Sequence, residues 1–258
     1  MSEMLQTAAK TLAVAALLAD AGDLTIADIM ERLGLSRAAA HRTVATLLKE
    51  GWAEQVGDSR RYRLGLRMVE LGGQALQHLP VYAIGMPAVE RLASTLSANT
   101  HLAVPFEDAM LFVARVSITD LGIRSAPNAM RTKFHGTAAG RVALAYLPEL
   151  EARLGCEPLA PRTPFTVTDP ALLKQELAVI RSRGYAIVAR ETYVHTGTVA
   201  APVFDYTGKY VASVGVTANI ERFDEAWTSH VVTHVLECTR NLSLTLGFRG
   251  AALAEVHA

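Results

Sequence analysis

The first 79 residues contain no proline; all ten prolines of the 258-residue chain lie at Pro80 or later. Proline interrupts helices, so this edge marks a domain boundary after a largely helical start. Cysteine is scarce too. Cys156 and Cys238 are the only two and lie far apart, which excludes a disulfide framework. Aromatic residues make up 6% of the chain, so its core must be built mainly from Ala, Leu, Val and Ile. No apolar run reaches the ~18 residues of a membrane span. The opening MSEMLQTAAK lacks the basic start, apolar stretch and small-residue cleavage site of a secretory signal. A soluble cytoplasmic protein with no membrane association is expected.

Motifs of several enzyme classes are also missing. Gly136 and Gly140 have neither the spacing nor the Lys-Ser/Thr of a Walker loop, and there is no Gly-x-Ser-x-Gly, Ser-x-x-Lys or Cys-x-x-Cys. His135 and His195 have no accompanying nucleophile. His230 and His234 stand at the i, i+4 spacing of a metal pair, but no third ligand is near in sequence, which favours solvated or hydrogen-bonded histidines. No catalytic residue, metal site or cofactor is expected.

The chain also lacks net charge, with 25 basic against 25 acidic residues, which by itself argues against a nucleic-acid partner. The distribution reverses that inference. Residues 1–35 carry a net −3, residues 36–67 a net +4, and the remainder −1. A neutral total hides a basic block.

Around that block the periodicity predicts a winged helix-turn-helix. Residues 4–19 are strong helix formers ended by Gly22. Thr25 and Asp28 have capping-box spacing ahead of a short helix with Ile26, Ile29, Met30 and Leu33 on one face. Gly34 closes it, and Ser36 can cap a second helix over 37–50 that buries Ala40, Val44, Leu47 and Leu48. Its opposite side is expected to show Arg37, Arg42, Thr43, Thr46 and Lys49. WAEQV, GDSRR and YRLGLR then read as a strand, a turn and a strand, with Arg60 and Arg61 at the tip. A recognition helix needs long donors on one side to reach base edges or phosphates. Arg37 and Arg42 supply them, while Ala38 and Ala39 allow close approach. Wing-tip arginines suit backbone or minor-groove contact. The candidate DNA-contacting set is Thr25, Ser36, Arg37, Ala38, Ala39, Arg42, Thr43, Thr46, Arg60 and Arg61.

The stretch LTIADIMERLGLSRAAAHRTVATLLKEGWAE, with RYRLGLRMVELG after it, resembles the DNA-binding domain of the IclR family of bacterial transcriptional regulators. The family often has Ser or Thr early in the recognition helix where this chain has Ala38-Ala39-Ala40. That departure shifts base readout onto Ser36, Arg37 and Arg42.

Residues 66–79 place Leu66, Val69, Gly73 and Leu76 on one helical stripe. The stripe can pack on a second copy of the chain or on its own domain. A two-fold DNA site read by a two-fold protein favours the first. Further on, the pattern predicts a helix from Pro87, a hairpin THLAVPF/AMLFVARV turning at Glu107-Asp108, and a loop after Arg124 with Pro127. A small-residue helix opens at Gly136-Thr137, an amphipathic helix is capped by Asp169 and stopped by Gly184, and three strands and a helix over 221–247 follow. The fold class is α+β with a mostly antiparallel sheet. The expected division is 1–65 for the winged helix-turn-helix, 66–79 for a linker helix and 80–258 for a second domain.

FHGTAAGRVALAYLP, LLKQELAVIRSRGYAIVARE and AAPVFDYTGKYVASVGVTA resemble, in order, the family's GAF-like effector-binding domain. The resemblance implies a small-molecule pocket formed by Leu121, Thr137, Ala138, Ala139, Glu191, Tyr193, His195, Pro202, Gly215 and Thr217. His195 stands where the family usually has Gly, which points to contact with an anionic or phenolic effector. The small residues also suit close helix–sheet packing. The resemblance further implies a homodimer or dimer of dimers on a palindromic operator in double-stranded DNA, responding to a small organic acid or aromatic catabolite. An enzyme with an appended DNA-binding domain and an effector-free nucleoid-type protein are the competing classes; turnover of a bound ligand separates the first.

Overall fold

The computed structural model describes residues 6–119, 122–126, 130–154 and 158–250. The chain divides into two compact units, residues 1–78 and 79–258.

The first unit runs α1 (Gln6–Ala21), β1 (Leu24–Thr25), α2 (Ile26–Leu33), α3 (Arg37–Lys49), β2 (Ala53–Gln55), β3 (Arg61–Leu64) and α4 (Leu66–Gln77). The Thr25–Asp28 pair forms a complete capping box that starts α2, and Gly34 in the left-handed region ends it. The core gathers Val14 and Leu18 of α1, Leu24, Ile29 of α2, and Ala40, Val44 and Leu47 of α3, with Trp52 and Tyr62 against it. β3 lies between β1 and β2, all antiparallel, so the wing is a three-stranded sheet and not a bare hairpin. α4 has no buried residue.

The second unit begins with α5 (Pro80–Leu96), followed by β4 (Asn99–Phe106), β5 (Ala109–Thr119), β6 (Gly122–Ala126) and β7 (Met130–Lys133). A 3₁₀ turn at Phe134–Gly136 leads into α6 (Ala138–Tyr146) and the short α7 (Pro148–Glu151). Then come α8 (Pro170–Arg183), β8 (Ala186–Ala189), β9 (Thr196–Phe204), β10 (Tyr210–Asn219) and α9 (Glu225–Thr245). The antiparallel sheet has the order β6-β5-β4-β10-β9-β8, with β7 also paired to β5.

Three elements differ from the sequence expectation. α5 starts at Pro80 and runs through Pro87, not from it. Val81, Gly85, Ala88, Val89 and Leu92 form one buried stripe, and burial of that continuous face outweighs the backbone bond Pro87 removes. The stretch around Arg124 is strand β6, and Met130–Lys133 is strand β7; both gain their backbone partners from the long β5. That pairing is tertiary and has no local signature.

Helices cover both faces of the sheet. The Thr100 hydroxyl donates to the Val89 carbonyl of α5 at 2.8 Å. His101, the next residue of β4, faces the side where Ser213 of β10 donates to the Ala139 carbonyl of α6 at 3.1 Å. A register shift between Leu102 and Ala103 leaves Val113 of β5 without a partner. This bulge lets Phe112 and Arg115, three residues apart, line the same space.

Candidate nucleic-acid interface and ligand cavity

The Ser36 hydroxyl accepts the Ala39 N–H at 3.3 Å and caps α3. Arg37, Ala38 and Arg42 are exposed, and Ala39 is half-buried. Among the described residues, no acidic side chain forms an ion pair with Arg37 or Arg42. Other arginines of this unit are held: Arg61 donates to the Asp23 carbonyl at 2.9 Å, Arg63 pairs with Glu54 at 2.7 Å, and Arg67 pairs with Glu70 at 2.6 Å.

Four expected contacts look different in the structure. Thr43 is buried, not on the outer face: Ala40, Thr43, Val44 and Leu47 complete the i, i+3, i+4, i+7 stripe, and its polar hydroxyl masked that position. Thr46 is exposed, but its hydroxyl donates to the Arg42 carbonyl at 2.8 Å. The Thr25 hydroxyl both donates to the Asp28 carboxylate and accepts the Asp28 N–H, so it is spent on the cap. Those bonds, led by the Thr25 backbone N–H, hold the Asp28 carboxyl below its usual range. Arg61 opens β3 opposite Thr25, leaving Arg60 as the exposed arginine of the turn itself. His41 is also exposed, and its i+3 spacing from Ala38 puts it beside Arg42 on the outer stripe as a further candidate.

In the second unit, a cavity of about 120 Å³ lies between the sheet and the start of α6. Thr137, Ala138, Ala139, Tyr193 and Thr217 of the expected set line it. The Thr137 hydroxyl accepts the Gly140 N–H at 3.1 Å and caps α6. The N–H groups of Ala138 and Ala139 sit in a first helical turn, which has no carbonyls of its own to bond them. A side chain at Gly140 would overlap the Phe134 backbone, so glycine is required for the tight entry from the 3₁₀ turn.

The other expected residues fall outside the lining. Glu191 is buried but points at Arg141, which it pairs with bidentately; Arg141 also reaches Glu176 at 2.6 Å and the His135 carbonyl at 2.9 Å. His195 is exposed within the turn that the Thr196 N–H closes on the Tyr193 carbonyl, and it is not among the residues lining the cavity. Pro202 is buried within β9 opposite Ser213. Gly215 serves the cavity indirectly: a Cβ there would overlap His101 Nε2, so the glycine makes room for that ring. Leu121 lies outside the described residues.

Residues the sequence did not single out supply much of the wall: His101 of β4, Phe112 and Arg115 of β5, and Thr132 of β7. His101 is buried, and burial, with the charge of Arg115 acting the same way, pushes its pKa down to about 4. The ring is therefore neutral near neutral pH. Among the described residues, His101 Nε2 and Thr132 Oγ1 are buried polar atoms with no hydrogen-bond partner. No local pattern distinguishes these two from satisfied core residues. Elsewhere, burial pushes the Cys238 thiol up to about 11, an unreactive setting, and Cys156 lies outside the described residues. Among the described residues, no group of three His, Cys, Asp or Glu side chains is placed to hold a metal ion. No described helix is long and apolar enough to cross a membrane.

A winged helix with an unpaired basic outer stripe, carried on one chain with a sensor-type cavity, defines a ligand-responsive DNA-binding protein. Comparison with known proteins is more specific. Residues 7–57 match the IclR helix-turn-helix domain, and residues 73–244 match the bacterial transcriptional regulator IclR C-terminal domain. The chain belongs to the IclR family of bacterial transcriptional regulators; it is a DNA-binding regulator with an effector-binding domain and not an enzyme. The glycerol operon regulatory protein of Streptomyces coelicolor is 30% identical over 226 residues, covering 87% of this chain and 89% of that protein. An IclR transcriptional regulator from Alicyclobacillus acidocaldarius shares the fold, with a TM-score of 0.84 at 24% identity over 95% of this chain and 100% of that one. An IclR homolog from Microbacterium hydrocarbonoxydans, complexed with 4-hydroxybenzoate, has a TM-score of 0.78 at 25% identity over 95% and 99% of the two chains.

Proposed function

We propose that this regulator binds a palindromic operator as a homodimer or dimer of dimers in the cytoplasm, and controls catabolic genes in response to a small organic acid or aromatic catabolite. The observation that carries the DNA side is the outer stripe of α3, where Arg37 and Arg42 are exposed and unpaired while Arg61, Arg63 and Arg67 are held by protein groups. Arg37 and Arg42 read base edges, with Ser36, Ala38 and Ala39 at the groove floor, and Arg60 touches the backbone from the wing. On the sensor side, a cavity of about 120 Å³ is close to the ~150 Å³ that encloses benzene. A relative binds 4-hydroxybenzoate, an aromatic acid built on the same six-carbon ring. Effector binding shifts the balance between two arrangements of the chain, one of which fits the operator better.

The test is fluorescence anisotropy on a duplex from the regulator's own promoter region. Arg37→Ala and Arg42→Ala should each weaken binding by ~1–3 kcal/mol, as expected for a lost base contact. Arg63→Ala, which breaks only the pair with Glu54, should stay near wild type. Unchanged affinity in the first two variants would remove α3 as the reading helix.

A further inference from the structure

The helix α4 forms without the supports that hold α2 and α3. α2 opens on a complete capping box and buries Ile29; α3 opens on the Ser36 cap and buries Ala40, Val44 and Leu47. α4 has no side-chain cap at its start, no acidic residue in its first turn, no basic residue in its last turn and no buried residue. With 12 residues it sits at the ~12–15 below which an unsupported helix is marginal in water. Gly72 and Gly73 stand side by side in its interior. An interior glycine lowers the helical equilibrium about fivefold relative to alanine, so the pair costs α4 roughly twentyfold. Neither usual reason for glycine applies within the chain. Neither residue has a positive φ, and a side chain at either position would meet nothing within 4 Å among the described residues. What remains is the weakness itself, since glycine pairs are places where helices kink.

The position of the pair is as telling as its composition. α4 is the last element of the first unit, and the second unit begins at Leu79. The first turn of α4 is tied to the winged helix: Gly65 and Arg67 donate their N–H groups to the Trp52 and Gly51 carbonyls at 2.9 and 3.4 Å. Leu66 and Val69, exposed and open to a second copy, both precede the glycines. From Glu70 to Leu79 no residue is buried, and Val81 then opens the buried stripe of α5. We propose that α4 is a conditional helix. It populates two states in the free protein, continuous and broken at Gly72–Gly73, and this equilibrium is the two-state element through which the second unit alters the fit of the reading helices to the operator. A break there leaves the winged helix and its tied first turn intact while freeing the second unit to turn about the glycines. The proposal rests on the reading of the chain as a regulator with two arrangements of unequal operator fit.

Two variants push the equilibrium opposite ways. Gly72→Ala with Gly73→Ala favours the continuous helix, and Gly72→Pro favours the break. Hydrogen exchange of the full-length protein should show amides of residues 71–77 exchanging a hundredfold or more faster than those of α3, on the order expected for a helix open much of the time. The alanine pair should slow them about tenfold and proline should quicken them, with α3 and α6 unchanged. Fluorescence anisotropy on a duplex from the regulator's own promoter region should then move in opposite directions. One variant should bind about twofold to fivefold more tightly than wild type and the other about tenfold more weakly, because a state already partly populated can gain only the remainder. Sedimentation should show the same oligomer in all three proteins. Amides of α4 as slow as those of α3, or operator affinities that move the same way or not at all, overturn the proposal. An alanine pair that dissociates the oligomer overturns it too, since the glycines then serve close approach of two α4 copies. The two readings fail separately: a rigid α4 overturns the conditional helix with operator binding intact, whereas a wild type that ignores the duplex strikes the operator reading, and exchange decides α4 in either case.

Discussion

At the scale of single residues, the chemistry rests on side chains whose role comes from surroundings and not from type. His101 is the clearest case. Its folded pKa of about 4 lies below the usual 6.5 because burial penalises the imidazolium and Arg115 repels it. The sign follows: above pH 6.5 neither the folded nor the unfolded chain protonates this ring, and its burial costs nothing through protonation. As pH falls from 6.5 towards 4, the unfolded chain takes up a proton that the folded chain refuses, so stability declines. By pH 4 the loss from this group is about 3 kcal/mol. Urea unfolding at pH 7 and pH 4.5 should show a smaller acid loss for His101→Gln than for the wild type; identical losses would mean the ring already titrates normally in the fold. Thr43 teaches a related point. Its position fits the buried stripe of α3, and a small hydroxyl on a tightly packed helix face is no bar to burial.

Among elements, those whose cause is local were legible in the chain. The capping box at Thr25–Asp28, the caps Ser36, Thr137 and Asp169, and the left-handed Gly34 and Gly184 start and stop helices within a residue or two of the expected places. β6 and β7 were not legible, because only the edge of β5 makes them strands. The bulge at Val113 was hidden for the same reason, and with it the presence of Arg115 in the cavity. Elements are also joined by one buried charge. Arg141 of α6 is 1% exposed and links Glu176 of α8 to Glu191 in the loop that carries Thr192 and Tyr193. The Glu191 carboxylate also accepts the Val167 N–H at 2.8 Å. Arg141→Ala leaves Glu191 buried without its cation, and a loss of roughly 3–5 kcal/mol is expected. Chemical unfolding measures it; a loss under ~1 kcal/mol would show that the loop opens and hydrates Glu191 at little cost.

For the whole molecule, the exposed apolar stripe on α4 matters most. Leu66 is 77% exposed and Val69 is 69% exposed, and in the proposed dimer a second copy of the same helix would cover them. Leu66→Glu combined with Val69→Glu should shift sedimentation from dimer to monomer and weaken operator binding, while Arg37→Ala should weaken binding without changing sedimentation. A double variant that stays dimeric would move the interface to another surface. The sequence by itself determined the two-part plan, the helix-turn-helix with its basic block, and the small-residue start of α6. Each depends on residues near one another along the chain: periodicity, caps, charge runs, and the proline-free first 79 residues. Only the tertiary structure decided which side chains meet at the cavity. It set His101 over Gly215, placed the exposed Arg115 at the cavity through the bulge, brought Thr132 to the same wall, and directed Glu191 at Arg141 and His195 outward. Burial and strand register are relations between distant segments, and no local pattern encodes them.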